Sequence, residues 1–233
     1  MREIIFDTET TGLDPRAGHR LVEIGCIELV DRRESGRTFH AYFHPERDMP
    51  AEAEAVHGLS IQFLSDKPLF ASRVDELLDF LGDAPMVAHN AAFDFGFINA
   101  ELARAGRAAL DMTRMCCTVQ MARKLHPGAK HSLDALCTRY GIDRSHRIKH
   151  GALLDAELLA HLYIEMTGGR QIGLGLAAAP VAVAATGVAS SPRPAAPARP
   201  FREPRPHAAT PAELARHAEF VAALTQPLWH DSP

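Results

Sequence analysis

The sequence predicts an α/β domain over residues 1–169, with a mixed sheet that begins as an antiparallel meander and continues through crossovers. Three observations carry that reading. Apolar runs near residues 4–9, 21–30 and 37–43 are joined by short polar connections, which favours antiparallel pairing. A short buried strand at residues 85–88 is followed by a helical pattern and then by a further strand-like stretch, an order that implies parallel pairing with a right-handed crossover. After Gly169 the composition changes abruptly.

Ile4, Ile5 and Phe6 open the first strand, and Thr10, Thr11 and Gly12 close it with turn chemistry. Residues 45–68 read as irregular. Phe70, Val74, Leu77, Leu78 and Leu81 recur at helical spacing, and Gly82 stops that helix. His89 and Asn90 turn the chain into a helix from about residue 92 to residue 105, ended by Gly106. Residues 112–125 read as a short strand and helix. Ser132 is placed to cap a helix over 133–140 that Gly141 ends, and a last helix over 152–166 stops before Gly168 and Gly169.

Residues 170–209 read as a flexible linker: from residue 177 onward Ala, Pro, Val and Arg dominate, no period is visible, and Glu203 is the one acid. Residues 210–233 form a separate C-terminal segment. Thr210, Pro211 and Glu213 carry a capping signature for a short helix to about Leu224, with the single tryptophan, Trp229, beyond it.

Composition narrows the function. A formal net charge of −4 argues against a free-standing, charge-driven nucleic-acid binder. Cys26, Cys116, Cys117 and Cys137 show no metal-binding spacing and read as buried thiols of a reducing compartment. With no basic leader and no membrane-length apolar stretch, the expectation is a cytoplasmic protein without membrane contact.

Chemistry concentrates on the first strand. Asp7 and Glu9 are two residues apart, so they share a face that Thr8 does not. Two carboxylates on one face are costly to bury unpaired, and a hard divalent cation is the usual remedy. Asp94 falls in the first turn of the helix after His89-Asn90, and Asp155 falls on the last helix, five residues after His150.

Asp7-Thr8-Glu9 ending a strand, His89-Asn90-Ala91-Ala92-Phe93-Asp94 opening a middle helix, and His150 five before Asp155 on a late helix resemble the three motifs of the DEDD exonuclease superfamily, in its histidine-bearing subgroup. The match runs along residues 1–169. Asn90–Asp94, His131–Cys137, His150–Ala156 and Met166–Gly169 make it similar to the proofreading exonucleases of bacterial replicative polymerases. The resemblance implies a ribonuclease H-like fold: a mixed five-stranded sheet flanked by helices, plus the linker and a short C-terminal helix. It implies a 3′→5′ exonuclease that hydrolyses mispaired 3′-terminal nucleotides with two divalent cations, Mg²⁺ or Mn²⁺. Asp7, Glu9 and Asp155 would hold the first and Asp7 and Asp94 the second, with His150 the general base at the helix mouth beside Gly151. Glu52 and His57, with Asp7, Glu9 and Asp155, would contact the terminal nucleotide.

His89 reads as a structural hydrogen-bonder, His131 and His146 carry no assigned role, and Asp134 reads as an acid favoured by a helix N-terminus. By the same resemblance the partners are single-stranded or mispaired DNA 3′ ends and the polymerase catalytic subunit through residues 210–233; separately, Gln171, Leu174 and Leu176 resemble the Gln-x-x-Leu-x-(Phe/Leu) peptide by which replication proteins dock on a sliding clamp. A small third core subunit stays open. Two other functions remain on the sequence alone: an RNA-trimming exonuclease on the same scaffold, and a catalytically idle stabiliser of the polymerase.

Overall fold

The computed structural model describes residues 1–145, 147, 149–169 and 209–224, and the chain divides into one unit over Met1–Ala177 and another over Ala178–Pro233. Within the first unit, β1 (Arg2–Thr10), β2 (Leu21–Val30) and β3 (Arg33–Tyr42) are followed by α1 (Ala51–His57), α2 (Ile61–Leu64) and α3 (Phe70–Leu81). Then come β4 (Met86–Ala88), α4 (Ala91–Arg104), β5 (Met115–Cys117), α5 (Thr118–Leu125), α6 (Leu133–Tyr140) and α7 (Ala152–Met166). The five strands form one sheet in the order β3-β2-β1-β4-β5. The β1–β2 and β2–β3 pairs are antiparallel, while β1–β4 and β4–β5 are parallel.

β1 is central because its side chains are apolar on both faces. Ile4 and Phe6 join a cluster with residues of α3 and α4, while Ile5 joins Leu136, Ala156 and Leu159 on the opposite face. All are fully or almost fully buried, each burial contributing roughly 1.5–3 kcal/mol. Asp7 and Glu9 continue along the Ile5 face, and Thr8 along the Phe6 face.

Three details differ from the expectations. Residues 45–68 contain two short helices, α1 and α2. Only His57 in α1 and only Leu64 in α2 are buried, so neither helix carries an apolar stripe that a periodicity argument could detect. α1 instead rests on Glu52 and Glu54 in its first turn and on Gly58, left-handed at φ 78°, as its stop. β3 begins at Arg33, four residues early, because Asp31 and Arg32 both adopt positive φ and close a two-residue hairpin without the usual Asn-Gly. On α3, Phe70, Val74, Leu77 and Leu81 are buried as expected, but Phe80 joins them on one flank while Leu78 on the other is only partly covered. Among the cysteines, Cys26 and Cys137 are buried and Cys116 and Cys117 only half so, all four with free thiols.

In the second unit, α8 (Pro211–Ala222) starts at a capping box. Glu213 accepts from the Thr210 amide at 2.8 Å, and the Thr210 hydroxyl oxygen accepts from the Glu213 amide. Leu214, Phe220 and Leu224 are exposed; Val221 is buried. Leu214, Ala218, Val221 and Leu224 recur at helical spacing, and only Val221 among them is buried. Gln171, Leu174, Leu176, His146 and Trp229 lie outside the described residues. Among the described residues, no helix is long and apolar enough to cross a membrane.

Candidate active site

Four carboxylates and a histidine meet because the end of β1 and the starts of α4 and α7 come to one place. Asp7 and Glu9 come from the last turns of the β1 ribbon, opposite Gly25 and Glu23 of β2. Asn90, left-handed at φ 73°, turns the chain sharply from β4 into α4 and sets Asp94 in the first helical turn. Asp155 lies in the first turn of α7, its amide donating to the Gly151 carbonyl at 2.8 Å. α7 can begin there only because residue 25 has no side chain. A Cβ on Gly25 would lie 2.3 Å from both N and Cα of Leu153. Asp7, Glu9, Asp94, Asp155 and His150 all line one cleft of about 290 Å³.

Glu9, Asp94 and Asp155 are buried, and Asp7 is partly accessible. Thr8 faces away from Asp7 and Glu9 and donates its hydroxyl to Asp94 Oδ1 at 2.7 Å, fixing that carboxylate. Burial, with Asp155 and Glu23 close by, pushes the Glu9 carboxyl up to about 8. Burial pushes Asp94 up to about 7 against the opposing hydrogen bond from Thr8. Asp7 is raised well above the usual carboxylate range, first by burial and then by Asp94, Glu9 and Asp155. A cluster of hard oxygens that raise one another's pKa is a donor set suited to a hard divalent cation. Ligand atoms of Glu9, His150 and Asp155 lie within 4.8 Å of one another, a spacing that one ion can bridge. Asp7 and Asp94 share the cleft but stand outside that group of three.

The raised carboxyls make stability depend on pH. Folding favours their protonated forms, so this contribution is fully present below their unfolded values of 3.8 and 4.5 and is lost as pH rises through about 7 and 8. Protein held in chelator is expected to melt at progressively lower temperature from about pH 5 to pH 8.5. Mn²⁺ should flatten or reverse that trend, because a cation takes the ionised forms. Melting curves in buffers of matched ionic strength test it, and a flat chelator profile would refute it.

His150 precedes α7 and is half exposed. Its Nδ1 stands 3.2 Å from Asp155 Oδ2, and an Arg147 Nη2 donates to the same Nδ1 at 2.7 Å. A guanidinium can only donate, so Nδ1 is the accepting nitrogen and the ring proton sits on Nε2. Arg147 was not singled out by sequence, yet its guanidinium enters the cleft and takes both oxygens of Asp155, at 2.5 and 2.6 Å. Asp134 sits in the first turn of α6, as a helix-dipole acid should, and also pairs with Arg147 at 2.7 Å and Arg144 at 3.0 Å. His89 lines the cleft and its Nδ1 is paired with the Thr118 hydroxyl at 2.9 Å; His131 pairs with the His126 carbonyl.

Glu52 and His57 are not in the carboxylate cluster. They line an adjoining, more apolar hollow of about 580 Å³ that shares Thr8, Glu9 and Phe93 with the cleft. His57 Nδ1 accepts from the Leu59 amide at 3.0 Å, so the ring proton sits on the buried Nε2, on the side of the Thr10 carbonyl. Burial holds this imidazole below its ordinary pKa, against a hydrogen bond to the Thr10 carbonyl that favours the charged form. Gly25, Thr8 and Arg147 escaped the sequence reading. An interior strand glycine is the one signal that could have found Gly25.

The model of a family described as "Exonuclease" matches residues 4–163. The DNA polymerase III subunit epsilon of Rickettsia felis is 54% identical over 174 residues, spanning 73% of this chain and 76% of that protein. Its counterpart in Escherichia coli is 48% identical over 177 residues, 72% of each. The nuclease domain of 3′hExo, a DEDDh family member solved with rAMP, shares the fold with a TM-score of 0.62 and 17% identity, over 71% of this chain and 91% of that one.

Proposed function

The chain belongs to the exonuclease family, and from that premise we propose that it is the proofreading 3′→5′ exonuclease of a DNA polymerase III core, removing mispaired 3′-terminal deoxynucleotides as 5′-monophosphates. The observation that carries this is the convergence of Asp7, Glu9, Asp94 and Asp155 with His150 in one cleft, in a chain about half identical to epsilon subunits. Members of this family work with divalent metal ions; two per site, Mg²⁺ or Mn²⁺, fit four carboxylates. When bound, they would lower the pKa of a water and stabilise the charge on the scissile phosphate and the leaving oxygen.

The rest is done by the chain's own groups. Asp7, Glu9 and Asp155 would hold one cation and Asp7 and Asp94 the other, with Thr8 fixing the rotation of Asp94. Glu52 and His57 are suited to the sugar of the terminal nucleotide, and Phe93 offers an apolar wall. As water oxygen bonds to phosphorus and the bond to the 3′ oxygen breaks, His150 takes the water proton on an unprotonated nitrogen, and the 3′ oxygen leaves as the new primer end, taking a proton from solvent. Its exposure at the mouth of α7 leaves it room to turn.

Replacing His150 with Ala is expected to slow single-turnover hydrolysis by about 10²–10⁴-fold, with Mn²⁺ affinity changed little. Because His150 also lies within ligand distance of Glu9 and Asp155, calorimetric titration is the deciding measurement. A loss of Mn²⁺ binding as complete as that of Asp155→Ala would make it a ligand and withdraw the base.

The division into residues 1–169, a linker over 170–209 and a docking segment over 210–233 supports a tethered nuclease. Exposed Leu214 and Phe220 on α8, with exposed Leu224 just after it, favour a protein partner, and we assign the polymerase catalytic subunit. Gln171, Leu174 and Leu176 are assigned to the sliding clamp. Residues 1–170 are expected to cleave mispaired primer ends yet fail to co-purify with that subunit, while residues 205–233 bind it alone. Equal binding by the truncated nuclease would remove the tether.

A further inference from the structure

One carboxylate assigned to the first cation, Asp155, is already engaged by a side chain of the protein. Arg147 Nε and Nη2 donate to Oδ1 and Oδ2 of Asp155 in a fork-on-fork pair, so both oxygens are engaged. The same Nη2 occupies Nδ1 of His150. The third nitrogen, Nη1, is held from behind by Asp134, which is half exposed and outside the cleft's acidic centre. The arginine side chain is 9% exposed and the aspartate 4%, so this pair is shielded from water and not a passing surface contact. Arg147 also draws the Asp7 and Glu9 carboxyls down, against the burial and mutual repulsion that raise them. Its charge thus lies where a divalent cation would act.

We propose that Arg147 is a displaceable internal counter-cation: its guanidinium competes with divalent metal for the two oxygens of Asp155, and metal binding releases it together with Nδ1 of His150. This rests on the reading that the carboxylates hold divalent cations. Competition follows from coordination chemistry. A donor-only group on both oxygens of a carboxylate uses one lone pair of each and sets a positive charge beside the place a metal would take, so the two cations oppose each other. Asp134 keeps the released guanidinium beside the cleft. Arg147 is accordingly a positioning residue, acting through Asp155 and His150.

The test is isothermal titration of Mn²⁺ into the full chain, stripped by chelator and without DNA. Arg147→Gln is compared with the parent, with Arg147→Lys, and with Arg144→Gln. The last removes the same charge from Asp134's other partner without touching Asp155. Loss of a charged, bidentate competitor is expected to tighten Mn²⁺ binding about tenfold in Arg147→Gln. Arg147→Lys, which keeps charge but not the fork, should fall between. Arg144→Gln should stay within about twofold, as expected of an exposed pair. Melting temperature supplies an independent reading: the rise on saturating Mn²⁺ should be larger in Arg147→Gln than in the parent. A purely structural arginine predicts unchanged or weaker Mn²⁺ binding on its removal, and that result overturns the proposal. So does equal tightening by Arg144→Gln, which would reduce the effect to general charge. If the parent takes up no Mn²⁺ at all, the cation reading itself falls, and the proposal with it.

Discussion

Asp7→Asn is expected to lower exonuclease activity by at least ~10³-fold while raising the melting temperature of the protein in chelator. The two effects have one origin. Asp7 faces Asp94, Glu9 and Asp155 across a buried cleft, and each of these carboxylates opposes its ionisation. A neutral amide of the same size removes repulsion from the fold and removes a ligand from the site. Asp155→Ala should differ in sign on the second measurement. It deprives Arg147 of a bidentate partner inside a shielded pair, and breaking such a pair by removing one member costs about 3–5 kcal/mol. Activity should be lost in both variants, with stability moving in opposite directions. Nuclease assays on a mispaired primer end, alongside melting in chelator, read both quantities. Undiminished cleavage by folded Asp7→Asn would sink the metal assignment, and a lower melting temperature would sink the electrostatic account.

The parts of this site that were legible in the sequence are those fixed by local geometry. Asp7 and Glu9 had to share a face because a strand alternates, and His150 had to stand off the helix that carries Asp155 because five residues rotate a helical side chain by roughly 140°. The sheet was legible for a similar reason: Ile4, Ile5 and Phe6 are apolar on both faces, as only a central strand requires. What escaped depends on contacts across the chain. α1 buries only His57 and shows no period. Thr8 is an ordinary strand threonine until α4 brings Asp94 to its hydroxyl, 86 residues on. Arg147 reads as one basic residue in a polar loop between Asp143 and His150, and nothing local announces that its guanidinium turns inward to Asp155.

Gly25→Ala is expected to damage both stability and catalysis, although residue 25 touches no substrate. In β2 it lies opposite Asp7, and it is the point where the first turn of α7 crosses the sheet. The added methyl would sit 2.3 Å from the Leu153 N and Cα and 2.5 Å from the Ala152 carbonyl carbon, all backbone atoms, so no side-chain rotation can relieve the overlap. Either β2 or the start of α7 has to move by the better part of an ångström. Overpacking of this kind costs about 1–3 kcal/mol. The larger consequence follows from which residue rides on that turn. Asp155 is held by its amide bond to Gly151 and by Arg147, so it moves with α7 and away from Glu9, and an error near 1 Å can cost on the order of 10²-fold in rate. Leu153→Ala is the control, since it trims a partly buried side chain on the same turn without pressing on the backbone. It should lose stability with far less effect on rate per unit of stability lost. Activity and Mn²⁺ affinity measured well below each variant's melting temperature separate misplacement from unfolding. Parent-like rates in Gly25→Ala would mean that the close approach of β2 and α7 does not set the position of Asp155.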